Sequence, residues 1–166
     1  MNLPSHVKLV IFDVDGTLVT TKSGETFRKT ADDWQWLPGR KEKLGNVFKQ
    51  NVVLGIATNQ GGVAFGYMEE GLIAKEIDRL ASEALIGWVE ICYTHPNACI
   101  PEYYHANDPR RKPGPGMLLQ IMQYTQIGPI HTLMVGDRPE DEQAAQNAGV
   151  AFAWSTDFFG DKETEQ

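Results

Sequence analysis

The chain has 166 residues, with 15 Lys and Arg against 22 Asp and Glu, which leaves a formal net charge of −7. This length fits one domain of ordinary size, and a composition of 42% hydrophobic and 22% charged residues excludes wholesale disorder. The acidic balance argues against a general nucleic-acid coat protein and against a polybasic membrane-binding protein.

The sequence shows no pattern typical of a disulfide-bonded, secreted or membrane-spanning protein. The two cysteines, Cys92 and Cys99, are too few for a disulfide framework, so we expect reduced thiols. The first residues lack the basic and apolar regions of a signal peptide, and no apolar run approaches the roughly 18 residues of a membrane span. We therefore expect a cytoplasmic protein without a membrane partner.

Short apolar runs alternate with helical patterns along the chain. The runs predict five strands, at residues 7–12, 52–57, 88–93, 132–135 and 150–154. Apolar residues at helical spacing predict four helices, at residues 40–50, 69–86, 116–126 and 139–148. This alternation indicates an α/β fold with a mostly parallel five-stranded sheet.

Two stretches interrupt the alternation. Residues 16–38 contain Ser23-Gly24, which suggests a hairpin turn, and residues 95–115 form a loop long enough to be functional. No linker or internal repeat divides the chain. We expect a single domain over residues 1–160 and an acidic tail over residues 161–166.

Polar residues follow three of the predicted strands. In parallel sheets ligands bind outside the carboxyl ends of the strands, so these residues should meet at one place. Several carboxylates gathered with one lysine favour a bound cation, and oxygen ligands suit Mg²⁺. A metal, a hydroxyl and an ammonium group are what phosphoryl transfer requires. The residues concerned are Asp13, Asp15, Thr58, Asn59, Lys112, Asp137 and Asp141.

These residues stand in four ordered motifs that resemble those of the haloacid dehalogenase (HAD) superfamily of phosphatases, type IIIA. The motifs read Asp-Val-Asp-Gly-Thr from residue 13, Thr-Asn from residue 58, Lys-Pro from residue 112 and Gly-Asp-x-x-x-Asp from residue 136. One such motif arises easily by chance, whereas four in order do not. The resemblance implies a three-layer α/β/α Rossmann-like core without a large cap domain.

The resemblance also implies a role for each motif residue. Asp13 would be the nucleophile that forms an aspartyl-phosphate, and Asp15 the general acid and base. Thr58, the Asn59 backbone amide, Arg111 and Lys112 would bind the phosphoryl group or substrate. The Asp13 carboxylate, the Asp15 backbone carbonyl, Asp137 and Asp141 would hold Mg²⁺.

Finer motifs resemble the 3′-phosphatase domain of polynucleotide kinase–phosphatases. They include Thr-Thr-x-Ser-Gly-x-x-Phe from residue 20, Asp33-Trp34 and Arg-Lys-Pro-x-x-Gly-Met from residue 111. This likeness implies removal of a 3′-phosphate from polynucleotide ends, a DNA-repair reaction. The heptose-bisphosphate and histidinol-phosphate phosphatases share several of these motifs, so a small phosphorylated metabolite is the alternative substrate.

A structural zinc site is a second alternative. The small-molecule phosphatases often hold zinc through a Cys-x-His pair and a Cys-x-Cys pair just before Arg-Lys-Pro, and the second pair is absent here. Cys92, His95, Cys99 and His105 could form a Cys₂His₂ set at unusual spacing. The competing interpretation is that Cys92 ends a buried strand and the others are ordinary loop residues. Polynucleotide phosphatases lack this long loop.

The irregular stretches are too short to form a full cap domain, so we expect an open cleft. Such a cleft either admits the end of a polymer or needs loops to close over a small substrate. Two basic runs, residues 110–112 and 40–41, could contact further phosphates or be ordinary surface charge. Trp34, Trp36, Tyr103 and Tyr104 could stack on a base, although packing is the more natural role for the tryptophans. A phosphate-binding module without turnover is a further alternative, but it would have no need of the Asp13 and Asp15 pair.

Overall fold

A five-stranded, entirely parallel sheet forms the centre of the computed structural model, which describes residues 2–161. In chain order its strands are β1 (Leu9–Phe12), β4 (Val53–Asn59), β5 (Trp88–Cys92), β6 (Thr132–Gly136) and β7 (Ala151–Trp154). The spatial order is β5-β4-β1-β6-β7, so the first strand lies in the middle. The α/β prediction is confirmed, with the sheet parallel in full.

Helices cover both faces of this sheet. They are α1 (Arg40–Phe48), α2 (Glu70–Glu83), α3 (Gly116–Thr125), α4 (Pro139–Ala148) and the short α5 (Ser155–Phe159). Apolar residues of α1, α2 and α5 form one buried cluster with one face of the sheet, and those of α3 and α4 form another with the opposite face. The three-layer architecture is therefore confirmed, and residues 2–161 contain no large cap domain.

The alternation of the apolar residues in β1 explains this arrangement. All four residues of β1 are fully buried, and Val10 and Phe12 join one cluster whereas Leu9 and Ile11 join the other. A strand that is apolar at every position must be covered on both sides. Val52 and Val53 begin the next predicted run, but the strand continues to Asn59, so Thr58 lies inside β4.

The first irregular stretch forms a flap over one side of the sheet's carboxyl edge. Two-residue strands β2 (Val19–Thr20) and β3 (Gln35–Trp36) pair antiparallel at its base. The 14 residues between them, rather than a tight turn at Ser23-Gly24, make the connection. We call residues 21–34 the flap.

The second irregular stretch, residues 93–115, runs from β5 to α3 and contains one 3₁₀ turn at Pro101–Tyr103. Backbone amides of Cys99 and Ile100 donate to the carbonyl of Ala64, which ties this loop to the segment after β4. We call it the long loop.

The described part of the chain ends at Asp161. Asp161 pairs with Arg40 of α1, and residues 162–166, the rest of the predicted acidic tail, lie outside the described residues. The domain boundary at residue 160 stays a prediction. None of the helices within residues 2–161 is long and apolar enough to cross a membrane.

Candidate active site

The predicted catalytic residues meet at the carboxyl edge of the sheet. Phe12, the last residue of β1, is in register with Ile56 of β4 on one side and Val135 of β6 on the other. The chain leaves β1 at Asp13 between those two neighbours. The ends of three adjacent strands thereby supply one site, as the doubly wound topology requires.

Lys112 links two of the carboxylates across this edge. Its Nζ donates to Asp13 Oδ1 at 2.7 Å and to Asp141 Oδ1 at 2.6 Å, and the lysine is 3% exposed. Burial acts to lower the pKa of Lys112, but the charges of Asp13 and Asp141 outweigh it and raise that pKa. Lys112 is therefore a fixed positive charge at the bottom of the site.

The carboxyl group of Asp13 is strongly affected by its surroundings. Burial raises the pKa of Asp13 to about 7, while the Lys112 ammonium acts in the opposite direction and the Asp141 charge adds to the rise. Burial also raises the pKa of Asp137. Carboxylates in such a place need a further positive charge to stay ionised together at neutral pH.

Three of these carboxylates have the arrangement of a cation site. Oxygen atoms of Asp13, Asp137 and Asp141 all lie within 4.8 Å of one another, and this is the one such group of acidic, histidine or cysteine ligands among the described residues. A set of carboxylate oxygens alone fits a hard cation such as Mg²⁺. The donors present therefore fit the metal that the sequence motifs imply.

Neighbouring groups hold two members of this set in place. Thr17 Oγ1 donates to Asp137 Oδ1 at 2.9 Å. Asp141 Oδ2 accepts the backbone amides of Asp137 and Arg138 at 3.2 and 3.1 Å, at the first turn of α4. The helix start thus orients Asp141, and the threonine orients Asp137.

The glycine in the first motif is required by this geometry. Gly16 has φ of +87°, and a Cβ built there would stand 2.2 Å from Asp137 Oδ2. Any side chain at residue 16 would displace the carboxylate as well as strain the backbone.

The two residues of the Thr-Asn motif at the end of β4 make different contacts. Thr58 is buried, and its hydroxyl accepts a hydrogen bond from Gln60 Nε2 at 2.9 Å. The Asn59 side chain donates to the Lys112 carbonyl at 3.0 Å and accepts from the Lys112 amide at 3.1 Å. The Asn59 side chain therefore fixes the backbone of Lys112. The sequence motifs implied a different role for Asn59, the binding of phosphate by its backbone amide.

The Asp15 carboxylate is not part of the three-carboxylate group and has other partners. Its Oδ1 accepts from Arg28 Nε at 2.7 Å and its Oδ2 from Gln60 Nε2 at 2.9 Å. Gln60 stands in the Thr-Asn-Gln motif but was given no role from the sequence, and Arg28 stood in no motif, because both contacts depend on how the flap and the end of β4 approach each other.

A cleft of about 680 Å³ opens over these residues. Arg111 and Arg138 line the wall of this cleft, and neither guanidinium group has a carboxylate of residues 2–161 within 4.0 Å. The aromatic side chains of Phe27 and Tyr67 lie on the rim and are 73% and 75% exposed. Burial lowers the pKa of Arg111, whose guanidinium donates to the Thr94 carbonyl at 2.9 Å. The cleft thus offers unpaired positive charge beside the buried site.

The four predicted zinc ligands do not form a ligand group in the described part of the chain. Cys92 is buried at the end of β5, and its sulfur contacts Thr94 Oγ1 at 3.2 Å. His95 packs on Phe65 in the cleft wall, at 4.8 Å between ring centroids. The other two, Cys99 and His105, are exposed on the long loop.

Hydrogen bonds between protein groups secure the base of the long loop instead. Thr94 Oγ1 donates to Asp108 Oδ2 at 2.6 Å, and the Arg110 amide donates to Asp108 Oδ1 at 2.8 Å. Arg110 also pairs with Glu90 of β5 at 2.7 Å. Asp108 is the residue of this loop that the sequence interpretation missed.

Other residues considered for substrate contact have structural roles. Arg40 is buried, donates to the Thr17 carbonyl at 3.0 Å and pairs with Asp161, and Lys41 pairs with Glu83. Trp34 and Trp36 donate from Nε1 to Glu76 and Glu83 of α2, both at 2.9 Å. The packing interpretation of the tryptophans is confirmed, whereas the phosphate contacts suggested for Arg40 and Lys41 stay a prediction.

Comparison with known proteins places this site among phosphatases. The profile of the family described as polynucleotide kinase 3 phosphatase matches residues 8–147. The D-glycero-beta-D-manno-heptose-1,7-bisphosphate 7-phosphatase of Escherichia coli K12 is 28% identical over 160 residues, covering 89% of this chain and 78% of the relative. The enzyme of that name from Bordetella bronchiseptica is 31% identical over 147 residues, covering 87% and 78%.

A solved structure agrees with these relatives. The D,D-heptose 1,7-bisphosphate phosphatase from B. bronchiseptica, in complex with magnesium and phosphate, superposes with a TM-score of 0.70 at 27% identity. The match covers 88% of this chain and 79% of that one. The similarity therefore extends over nearly the whole sheet and its helices.

Proposed function

The chain belongs to the polynucleotide kinase 3 phosphatase family of HAD phosphatases, and we propose that it hydrolyses a small sugar phosphate through an aspartyl-phosphate on Asp13. The observation that carries this proposal is the buried Asp13–Lys112–Asp141 arrangement, with Thr58 beside it at the carboxyl edge of the sheet. This arrangement supports the proposal, because phosphoryl transfer requires a nucleophile, a fixed cation and a hydroxyl around one point.

In the first step an Asp13 oxygen forms a bond to phosphorus while the bond between phosphorus and the leaving oxygen breaks. The Asp15 carboxyl group transfers its proton to that leaving oxygen, which departs as an alcohol. Lys112 and Thr58 hold the phosphoryl oxygens as negative charge develops on them. The products of this step are the alcohol and the Asp13 phosphate.

In the second step the Asp15 carboxylate takes a proton from water as the water oxygen bonds to phosphorus. The bond between Asp13 and phosphorus breaks, which returns the Asp13 carboxylate and releases inorganic phosphate. Asp13, Asp137 and Asp141 would hold Mg²⁺, which supplies positive charge that neutralises the phosphoryl group.

The relatives support a sugar bisphosphate as the substrate class. Heptose-1,7-bisphosphate is the compound in the names of the E. coli and B. bronchiseptica enzymes. Arg111 and Arg138 offer positive charge in the cleft beyond the reacting centre, which suits a second phosphate. We therefore expect a bisphosphate to react faster than the corresponding monophosphate.

A polynucleotide 3′-phosphate is the second candidate, and the family match favours it. The exposed Phe27 and Tyr67 on the rim of the cleft support it as well, because aromatic side chains stack on bases. A DNA-repair role would follow from this second substrate.

The experiment compares kcat/KM for heptose-1,7-bisphosphate, the corresponding monophosphate and a 3′-phosphorylated oligonucleotide, each with Mg²⁺ and with EDTA. We expect the bisphosphate to lead, and EDTA to stop every reaction until Mg²⁺ is restored. Arg111→Met should remove the advantage of the bisphosphate, and Arg110→Met, which changes a residue paired with Glu90, is the matched control. A faster reaction of the oligonucleotide would establish the second candidate, and turnover in EDTA would contradict the metal site.

A further inference from the structure

Arg28 of the flap is a buried arginine that the mechanism above does not use. Its side chain is 4% exposed, its Nε donates to Asp15 Oδ1 at 2.7 Å, and its Nη1 donates to the Ala31 carbonyl at 3.2 Å. Its Nη2 is buried and has no hydrogen-bond partner, which is true of no other buried side-chain nitrogen or oxygen among the described residues. Such an unpaired donor costs free energy, so it calls for a functional explanation.

The second donor to Asp15 is of a different kind. Gln60 Nε2 donates to Asp15 Oδ2 at 2.9 Å and to Thr58 Oγ1 at 2.9 Å. Gln60 is thus connected to the hydroxyl that would bind phosphate, whereas Arg28 is anchored on the flap through Ala31. The Thr58 hydroxyl can donate to a phosphoryl oxygen while it still accepts from Gln60, so the contact of Asp15 with a neutral amide lies next to the proposed phosphate site.

Proton donation requires one oxygen of Asp15 to be released. Both oxygens accept N–H groups in this structure, and a carboxyl oxygen that carries the proton for the leaving group cannot also accept from Gln60 in the same direction. The Oδ2 atom, held by the neutral amide, is the one that can be released at lower cost. The Oδ1 atom remains with the arginine.

We propose that Arg28 is a positioning residue that holds Asp15 through Oδ1 while Oδ2 delivers its proton to the leaving oxygen of the substrate. The proton moves from Asp15 Oδ2 to the leaving oxygen as that oxygen takes the electron pair of its bond to phosphorus. The new charge on Asp15 lies beside the guanidinium, and the free Nη2–H can form the second of two parallel hydrogen bonds to the carboxylate. This inference rests on the role that the proposed function gives Asp15.

The test uses esters that differ in their need for a proton. An alkyl phosphate such as a sugar phosphate requires protonation of its leaving oxygen, whereas 2,4-dinitrophenyl phosphate releases a stable anion. The quantity to compare is kcat/KM, because it ends at transfer to Asp13 and excludes hydrolysis of the intermediate. Arg28→Met should lower kcat/KM for the alkyl ester by about 10- to 100-fold, and for the dinitrophenyl ester by less than about 3-fold.

Two features of the design separate positioning from folding. The ratio of the two rates, measured on one preparation, does not depend on the fraction of protein that is folded. Lys29→Met is the matched control, since Lys29 is the next residue of the flap and its exposed side chain pairs with Glu25. This control should leave both rates and their ratio unchanged.

Asp15→Asn distinguishes failure of the inference from failure of the proposed function. That variant should show the same selective loss on the alkyl ester, and adding Arg28→Met to it should cost nothing further. If Asp15→Asn slows both esters equally, Asp15 is not the acid, and the proposed mechanism fails together with the inference. If Asp15→Asn is selective but Arg28→Met slows both esters equally, or lowers the rate further in the double variant, the positioning role alone is overturned.

Discussion

The carboxyl edge of the sheet and the long loop border the same cleft, but different interactions hold them in place. At the sheet edge, buried charges pair directly, as Asp13 and Asp141 do with Lys112, which comes from the end of the long loop. In the long loop, a partly exposed carboxylate, Asp108, accepts hydrogen bonds from a threonine and a backbone amide. The comparison indicates that the proposed chemistry is concentrated at the edge, to which the long loop contributes Lys112, whereas the rest of the loop shapes the wall of the cleft.

The largest effect should come from the proposed nucleophile. Asp13→Asn preserves the shape of the side chain but removes its ability to bond to phosphorus, so kcat should fall by about 10⁴-fold or more. Phosphate release from an alkyl monoester measures it, with Asp78→Asn on the exposed face of α2 as control. If the Asp13→Asn variant retains a tenth of the activity, Asp13 is not the nucleophile.

Removal of the buried ammonium should affect both activity and stability. In Lys112→Met the carboxylates of Asp13 and Asp141 lose their shared partner, so kcat should fall by about 10²- to 10³-fold. The metal-free protein should lose about 3–5 kcal/mol of unfolding free energy. Lys41→Met, which breaks only the exposed pair with Glu83, should cost less than about 1 kcal/mol.

Denaturation in urea with EDTA measures these changes, and activity is assayed with Mg²⁺. Equal effects of Lys112→Met and Lys41→Met would mean that the buried charges at the edge contribute no more than a surface pair does.

The raised pKa of Asp13 predicts a pH dependence of stability in the metal-free protein. Burial raises that pKa from 3.8 to about 7, so the folded state binds this proton more tightly than the unfolded chain does. The stabilisation is complete below about pH 4 and is lost as the pH rises through about 7. Asp13→Asn carries no such proton, so its stability relative to the wild type should be higher at pH 8 than at pH 5.

Urea denaturation of both proteins in EDTA at the two pH values measures the difference. Added Mg²⁺ should reduce it, because a bound cation stabilises the ionised carboxylates. If the difference in unfolding free energy between Asp13→Asn and the wild type is the same at both pH values, the pKa of Asp13 is not raised in the folded protein.

The smallest effect is expected in the long loop. Asp108→Ala leaves the Thr94 hydroxyl and the Arg110 amide without their acceptor, which should cost about 1–3 kcal/mol of unfolding free energy. Because Arg111 and Lys112 follow in the chain, kcat/KM should fall, but by less than about tenfold. Asn107→Ala is the neighbouring control, and a loss of activity in Asp108→Ala as large as that of Lys112→Met would contradict the structural role given to Asp108.

The sheet and the meeting of the candidate site residues at its carboxyl edge could be predicted from the sequence, because the carboxyl ends of parallel strands lie at the same edge of the sheet. Continuous apolar runs identified β1 and β4, and the polar residues directly after or at the end of each run identified the site. The short α5 was not predicted, since five residues show too little periodicity.

The loops could not be predicted in the same way. Cys92, His95, Cys99 and His105 suggested a zinc set by their types alone, but the backbone of the long loop places them in different surroundings. The contact of Arg28 with Asp15 joins residues 13 apart through a flap whose path has no sequence rule. Pairing between strands follows a register, whereas contacts between irregular segments do not.

The most direct test of the account is chemical trapping of the phosphorylated residue. The protein is mixed with Mg²⁺ and a rapidly reacting ester, quenched in acid, reduced with borohydride and digested for mass spectrometry. An aspartyl-phosphate on Asp13 predicts conversion of that residue to homoserine in the wild type and no such product in Asp13→Asn. Reduction at another residue, or none under conditions where the leaving alcohol is released in a burst, would contradict the central role of Asp13.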